Sequence, residues 1–183
     1  MSEEKYLSLK GVVTPEIAVT VSKEGTKFMG ASSFVDADDE LKEIAKYIKS
    51  NTTHNSQIDP DRIKYLYTTE AKKDGGKYVV GQLIARKEME KMVNDNYDYI
   101  MVVFYKVWKE LDMEHKVIQL DKLLCGVDTS SEKIKKYNVD SKEYISNMKF
   151  FGAQSVLEST EIVASTISRI LDEEKEEKRA NKE

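Results

Sequence analysis

Tyr97-Asp98-Tyr99-Ile100-Met101-Val102-Val103-Phe104 is the most strand-like run in this chain of 183 residues. Its unbroken apolar stretch predicts a strand buried within a sheet, because a strand wetted on one face would alternate. Two runs upstream do alternate at period two, Arg62-Ile63-Lys64-Tyr65-Leu66-Tyr67-Thr68-Thr69 and Tyr78-Val79-Val80-Gly81-Gln82-Leu83-Ile84-Ala85. Lys72-Lys73-Asp74-Gly75-Gly76 between them has turn chemistry, so the two runs are expected to form an antiparallel hairpin beside the buried strand. A short helix over Glu88 to Val93 would link the hairpin to that strand.

Helical spacing dominates downstream. Tyr105 to Leu111 fits a short helix with Trp108 inward, and Asp112 then caps a second helix from about Met113 to Cys125, ended by Gly126. Val117, Ile118, Leu120 and Leu124 are its apolar stripe. Asp140 is placed to cap a helix containing Tyr144, Ile145, Met148 and Phe151, and after Gly152 a last helix carries Val156, Ile162, Val163, Ile167, Ile170 and Leu171. Upstream, Leu41, Ile44, Ala45 and Ile48 mark a helix from Phe34 with Asp36 or Asp38 at its start, followed by a polar loop from Asn51 to Asp61 that carries His54 and Pro60. The expected architecture is α+β: a small antiparallel sheet with helices packed on one side, plus a long C-terminal helix. Residues 34–154 form the domain and 155–183 the C-terminal helix with its charged tail. Residues 1–33, with short candidate strands at 11–15 and 17–21, are an extension whose fold the pattern does not assign.

Composition narrows the function classes. Lys and Arg number 29 against 33 Asp and Glu, for a net charge of −4, which argues against a generic binder of phosphate backbones. No apolar run approaches the ~20 residues of a membrane span, and the N-terminus lacks the apolar stretch of a signal peptide, so no membrane is expected and the cytoplasm is the expected location. A single cysteine, Cys125, makes no internal disulfide, which fits a reducing compartment.

Few side chains are suited to catalysis. The two histidines, His54 and His115, stand far apart, and no HExxH is present. His115 reads as a helix-surface residue, His54 as a loop residue and Cys125 as a small apolar side chain at a helix end. No glycine pattern signals a phosphate cradle. Asp36, Asp38, Asp39 and Glu40 have the chemistry of a hard-cation site but read more simply as the acidic first turn of a helix. Tyrosine is abundant, with 10 copies, and Tyr65, Tyr67 and Tyr78 share the hairpin with Lys64, the one place where an aromatic and basic surface for stacked bases is foreseen.

The hairpin beginning at Ile63, the strand Tyr97 to Phe104, Val107-Trp108-Lys109-Glu110-Leu111-Asp112 and the helix Glu114 to Val127 together resemble the phage metallopeptidase family, a zincin-like group. The resemblance extends over roughly residues 40 to 152. It implies a zincin-like fold and, on the helix after Leu120-Asp121, a zinc-binding HExxH. Carried over residue by residue, the first His falls on Lys122, the Glu on Leu123 and the second His on Gly126, while a further His–Asp pair falls on Val139-Asp140. Protonated lysine, leucine and glycine supply neither ligand nor base. The resemblance therefore implies a pseudoenzyme with no cofactor.

The expected function is that of a non-catalytic phage protein that binds, and inhibits or modulates, a host or phage protein in the host cytoplasm. The stripe Ile162, Val163, Ile167 and Ile170 is the expected partner-binding face, and a second copy of the chain is another candidate for it. Two alternatives stand beside this reading. One is single-stranded nucleic-acid binding in phage replication or recombination through Lys64, Tyr65, Tyr67 and Tyr78. The other is a metallopeptidase with an unrecognised site.

Overall fold

The structure, a computed structural model, describes residues 3–22, 24–30, 33–74, 76–87, 90, 97–128, 133–134 and 143–181. A 3-10 turn at Glu3–Leu9 precedes the hairpin β1 (Val19–Ser22) and β2 (Gly25–Phe28). Then come β3 (Phe34–Asp36), a single π turn at Asp38–Lys42 and helix α1 (Glu43–Asn51). Strands β4 (Ile63–Thr68), β5 (Lys72–Asp74), β6 (Lys77–Val79), β7 (Gly81–Ala85) and β8 (Tyr99–Phe104) follow. Short α2 (Tyr105–Trp108) leads to α3 (Met113–Leu124), then β9 (Val127–Asp128), β10 (Lys133–Ile134), α4 (Glu143–Phe151) and α5 (Ala153–Ala180). The class is α+β with a long C-terminal helix, as the pattern predicts. Among the described residues no helix is long and apolar enough to cross a membrane.

The main sheet has the order β3-β4-β8-β7 and is mixed. Strand β8 sits inside it, as its apolar run requires, parallel to β4 and antiparallel to β7. The expected hairpin between 62–69 and 78–85 is thus corrected: β8 lies between these strands, and the turn chemistry serves a separate small hairpin, β5–β6. A further correction falls at Phe34–Asp36, which is an edge strand paired to Thr68–Leu66, with helix beginning only after it. The expected helix over 88–93 and the cap Asp140 lie outside the described residues, apart from Glu90.

Alternation sends Ile63, Tyr65 and Tyr67 of β4 into the core, while Lys64 and Leu66 stay half-buried on the other face. The core gathers these with Met101, Phe104, Tyr105 and Trp108, with Leu41, Ile44 and Ile48 ahead of the loop, and with the α3 stripe Val117, Ile118, Leu120 and Leu124. Residues before position 33 belong to the same core: Tyr6, Leu9 and Phe28 are buried in it, and Ile17 N–H donates to the Tyr105 hydroxyl, which in turn donates to the Pro15 carbonyl.

Two glycines set how helices meet this sheet. A Cβ on Gly81 would stand 2.6 Å from the Val102 carbonyl oxygen and 3.1 Å from Leu123 Cδ1, so glycine is what lets β7 lie close to both β8 and α3. Gly152, at φ +92, occupies a backbone region that other residues rarely adopt, and there the chain turns from α4 into α5.

Candidate functional site

Helix α3 starts as predicted, with the Asp112 carboxylate accepting from the His115 N–H at 2.9 Å. With 3.6 residues per turn, Asp121 and Cys125 fall four apart and share a face. That face meets the loop after α1. Thr52 ends α1 by returning its N–H and hydroxyl to the Ile48 carbonyl at 2.8 and 2.9 Å, and buried Ile58 anchors the far side of the loop. Between these two pins the loop presents His54 and Asn55 to α3.

The meeting point is a polar cluster inside an otherwise apolar layer. His54 Nε2 lies 3.0 and 2.9 Å from the two oxygens of Asp121, which is 0% exposed. Asn55 Nδ2 donates to Oδ1 at 2.8 Å, and Asn147 Nδ2, from α4, donates to Oδ2 at 2.7 Å. Both carboxylate oxygens therefore accept from an amide, and His54 Nε2 pairs with the same two oxygens. Cys125 Sγ is 3.9 Å from Asp121 Oδ2 and 3.7 Å from Asn55 Nδ2. Phe150 meets the His54 ring edge-on at 6.2 Å between centroids. The His54 side chain is 17% exposed and Cys125 is half-buried, whereas Asp121 between them is fully buried.

The residues singled out from sequence are dispersed. Lys122 is half-buried one position round the helix from Asp121; Leu123 packs on the core beside Gly81; Gly126 lies in the turn after α3, its N–H donating to the Leu123 carbonyl at 3.2 Å. They form no site together. Asp140 and Val139 are outside the described residues. Tyr65 and Tyr67 are fully buried, with hydroxyls donating to the Pro60 carbonyl and to Glu40, so the stacking surface expected of them is corrected to core. Of the four residues proposed for nucleic acid, Tyr78 is exposed, and Lys64 is held by Asp36 and Asp38. The expected partner stripe is corrected likewise: Val163, Ile167 and Ile170 are buried in the chain's own core and Ile162 packs against it. The acidic run 36–40 is drawn apart too, since Glu40 points inward to Lys116 while Asp36 and Asp38 take Lys64.

What sequence reading missed is the convergence on Asp121. The signal available was the four-residue spacing of Asp121 and Cys125, the same spacing that places two ligands of an HExxH on one face. His54 comes from 67 positions away in the chain, and periodicity carries no information about such a contact.

The zinc of a zincin does not fit the carried-over positions Lys122, Leu123 and Gly126, which offer no ligand atom. It fits the neighbouring cluster better in donor type: one ligand atom each of His54, Asp121 and Cys125 lie within 4.8 Å of one another, an imidazole nitrogen, a carboxylate oxygen and a sulfur. Among the described residues no further carboxylate joins them as a ligand.

Comparison with curated proteins and with solved structures found no match. A family model does match, over residues 32–164, and its description is "putative phage metallopeptidase". The matched span runs from β3 through the first part of α5 and so includes the whole of the His54, Asp121, Asn147 cluster. With more than two thirds of its length covered, the chain belongs to the putative phage metallopeptidase family.

Proposed function

We propose that this protein is a non-hydrolytic member of its family that acts by binding, and so inhibiting or modulating, a host or phage protein in the cytoplasm of the infected cell. The observation that carries this reading is the state of Asp121, the sole carboxylate of the cluster among the described residues. It is buried and engaged on both oxygens by His54, Asn55 and Asn147, and the residue after it is Lys122. The position that the resemblance gives to the general base holds Leu123, which cannot activate water, and both oxygens of Asp121 already accept hydrogen bonds.

The partner face lies away from the α5 stripe, whose apolar side chains are consumed internally. Among the described side chains of α4 and α5 the large apolar ones left exposed are Ile145 and Leu157, and they are the anchors of this proposal. Capture from infected lysate should enrich the same protein reproducibly with the wild-type chain and lose it with Ile145→Glu plus Leu157→Glu. No reproducible enrichment would contradict the reading.

A metallopeptidase working through His54, Asp121 and Cys125 is the rival reading, favoured by the cluster itself. Incubation of casein and a mixed peptide library with the zinc-supplemented protein separates the two. The proposal expects no cleavage above that of His54→Ala, whereas zinc-dependent cleavage abolished by Asp121→Asn would establish the rival.

A further inference from the structure

The cluster combines three donor types at short range, on a helix face that already has ligand spacing. We infer that His54 Nε2, one oxygen of Asp121 and Cys125 Sγ hold a single divalent ion of the zinc and cobalt class. Tetrahedral zinc with bonds of about 2.0 Å to nitrogen or oxygen and 2.3 Å to sulfur separates N from O by about 3.3 Å and S from O by about 3.5 Å. The observed separations are 2.9 Å for His54 Nε2 to Asp121 Oδ2 and 3.9 Å for Cys125 Sγ to the same oxygen. Entry of the ion asks the imidazole to retreat by a few tenths of an ångström and the thiol to approach by a similar amount. His54 and Cys125 are only partly buried, while Asp121 is fully buried and held by the two asparagine amides.

Three further features support an ion at this place. The Asn55 and Asn147 amides hold the Asp121 carboxylate in one orientation, the part that supporting hydrogen bonds play around metal ligands. Asn147 is 1% exposed, and its Oδ1 has no hydrogen-bond partner among the described residues, so a polar atom at the edge of the cluster stands uncompensated. His54 Nε2 already faces the Asp121 oxygens across the place that the ion would take, and on binding imidazole carries its proton on Nδ1 and Cys125 binds as thiolate. Sulfur and imidazole select zinc or cobalt over magnesium or calcium, which prefer all-oxygen sites.

This inference is independent of the absence of hydrolysis: metal bound without cleavage leaves both standing, cleavage with metal overturns only the proposed function, and absence of metal overturns only the site. The test is titration of the purified full chain with cobalt(II), read by absorption. A thiolate-to-cobalt charge-transfer band should saturate at one equivalent and be displaced by zinc. Cys125→Ser, a near-isosteric change at a half-buried position, should abolish that band while its circular dichroism matches the wild type. Asn147→Ala should weaken binding by about 10- to 100-fold, the usual effect of removing a group that orients a ligand. No band, a band unchanged in Cys125→Ser, or uptake that does not stop at one equivalent would each overturn the site.

Discussion

Helix α3 serves two buried carboxylates from different faces, and they are treated in opposite ways. Glu40, 2% exposed, faces Lys116 at 3.0 Å, accepts from Thr14 at 2.7 Å and accepts the Tyr67 hydroxyl on its other oxygen. It is closed in by a cation that compensates its charge. Among the described residues Asp121 has no lysine or arginine as a hydrogen-bond partner: it is held by two amides and an imidazole, with a thiol nearby. The first arrangement is a clasp, joining the segment before β1, the turn before α1, β4 and α3. The second keeps a negative charge in place with groups that can also ligate an ion. The difference teaches that burial of a carboxylate does not by itself mark a site; what matters is whether its partners complete it.

The comparison breaks most visibly at Lys116. Lys116→Met removes the cation and leaves Glu40 buried and uncompensated, and removing one partner of a buried pair costs about 3–5 kcal/mol. Urea unfolding should show a loss of that order, mostly recovered when Glu40→Gln is added. If Lys116→Met alone is neutral, Glu40 is not a structural clasp.

Zinc should then divide the two regions. At a free concentration 100 times its Kd, an ion that binds only the folded chain stabilises it by about 2.7 kcal/mol. Wild type and Lys116→Met should gain equally in urea unfolding, and His54→Ala should gain almost nothing. Equal gains in all three would place the ion elsewhere.

Tyr67 tests the clasp more gently. Burial, together with the neighbouring Glu40 carboxylate, pushes its phenol far above the usual range, so it stays a donor at every working pH. Tyr67→Phe removes one hydrogen bond to a charged group, about 1.5–3 kcal/mol, and should leave cobalt binding unchanged.

The smallest effect concerns Asp36, a mostly exposed carboxylate. Partial burial raises its pKa, but Lys64 and the N–H groups of Asp38 and Ala37 outweigh this and hold it below the ordinary value. A carboxyl whose folded pKa is depressed adds stability above its unfolded value, about 3.9, and loses it as pH falls through the folded one. The difference in Tm between wild type and Asp36→Asn should be full at pH 7 and shrink as pH falls below about 4. A difference constant from pH 7 to 3 would remove Asp36 from the account.

Neither the clasp nor the cluster was legible in the sequence, although the strand and the capped helix that carry them were. Period-two alternation along Ile63 to Thr68 correctly marks two faces, but it does not say which one is wet, and Tyr65 and Tyr67 turned out to face the core. The buried character of β8 follows from its apolar run; its neighbours do not, since turn residues between two strands say nothing of a third strand inserted from later in the chain. Phe34–Asp36 reads as helix because three residues are too few to display alternation. On α5 the spacing of Val163, Ile167 and Ile170 records burial without naming what buries them. His54 could not be placed at all, because loop residues carry no period, and Asp121 and Cys125 pass for a polar and an apolar helix position until the loop is laid against them.

The central claim is that α3 and the loop after α1 form a metal centre built on His54, Asp121 and Cys125. Zinc K-edge X-ray absorption of the zinc-loaded protein tests it most directly, because it counts sulfur. The account predicts a four-coordinate ion with one sulfur at about 2.3 Å and nitrogen or oxygen at about 2.0–2.1 Å, the sulfur being lost in Cys125→Ser. A shell of oxygen and nitrogen alone in the wild-type protein would contradict it.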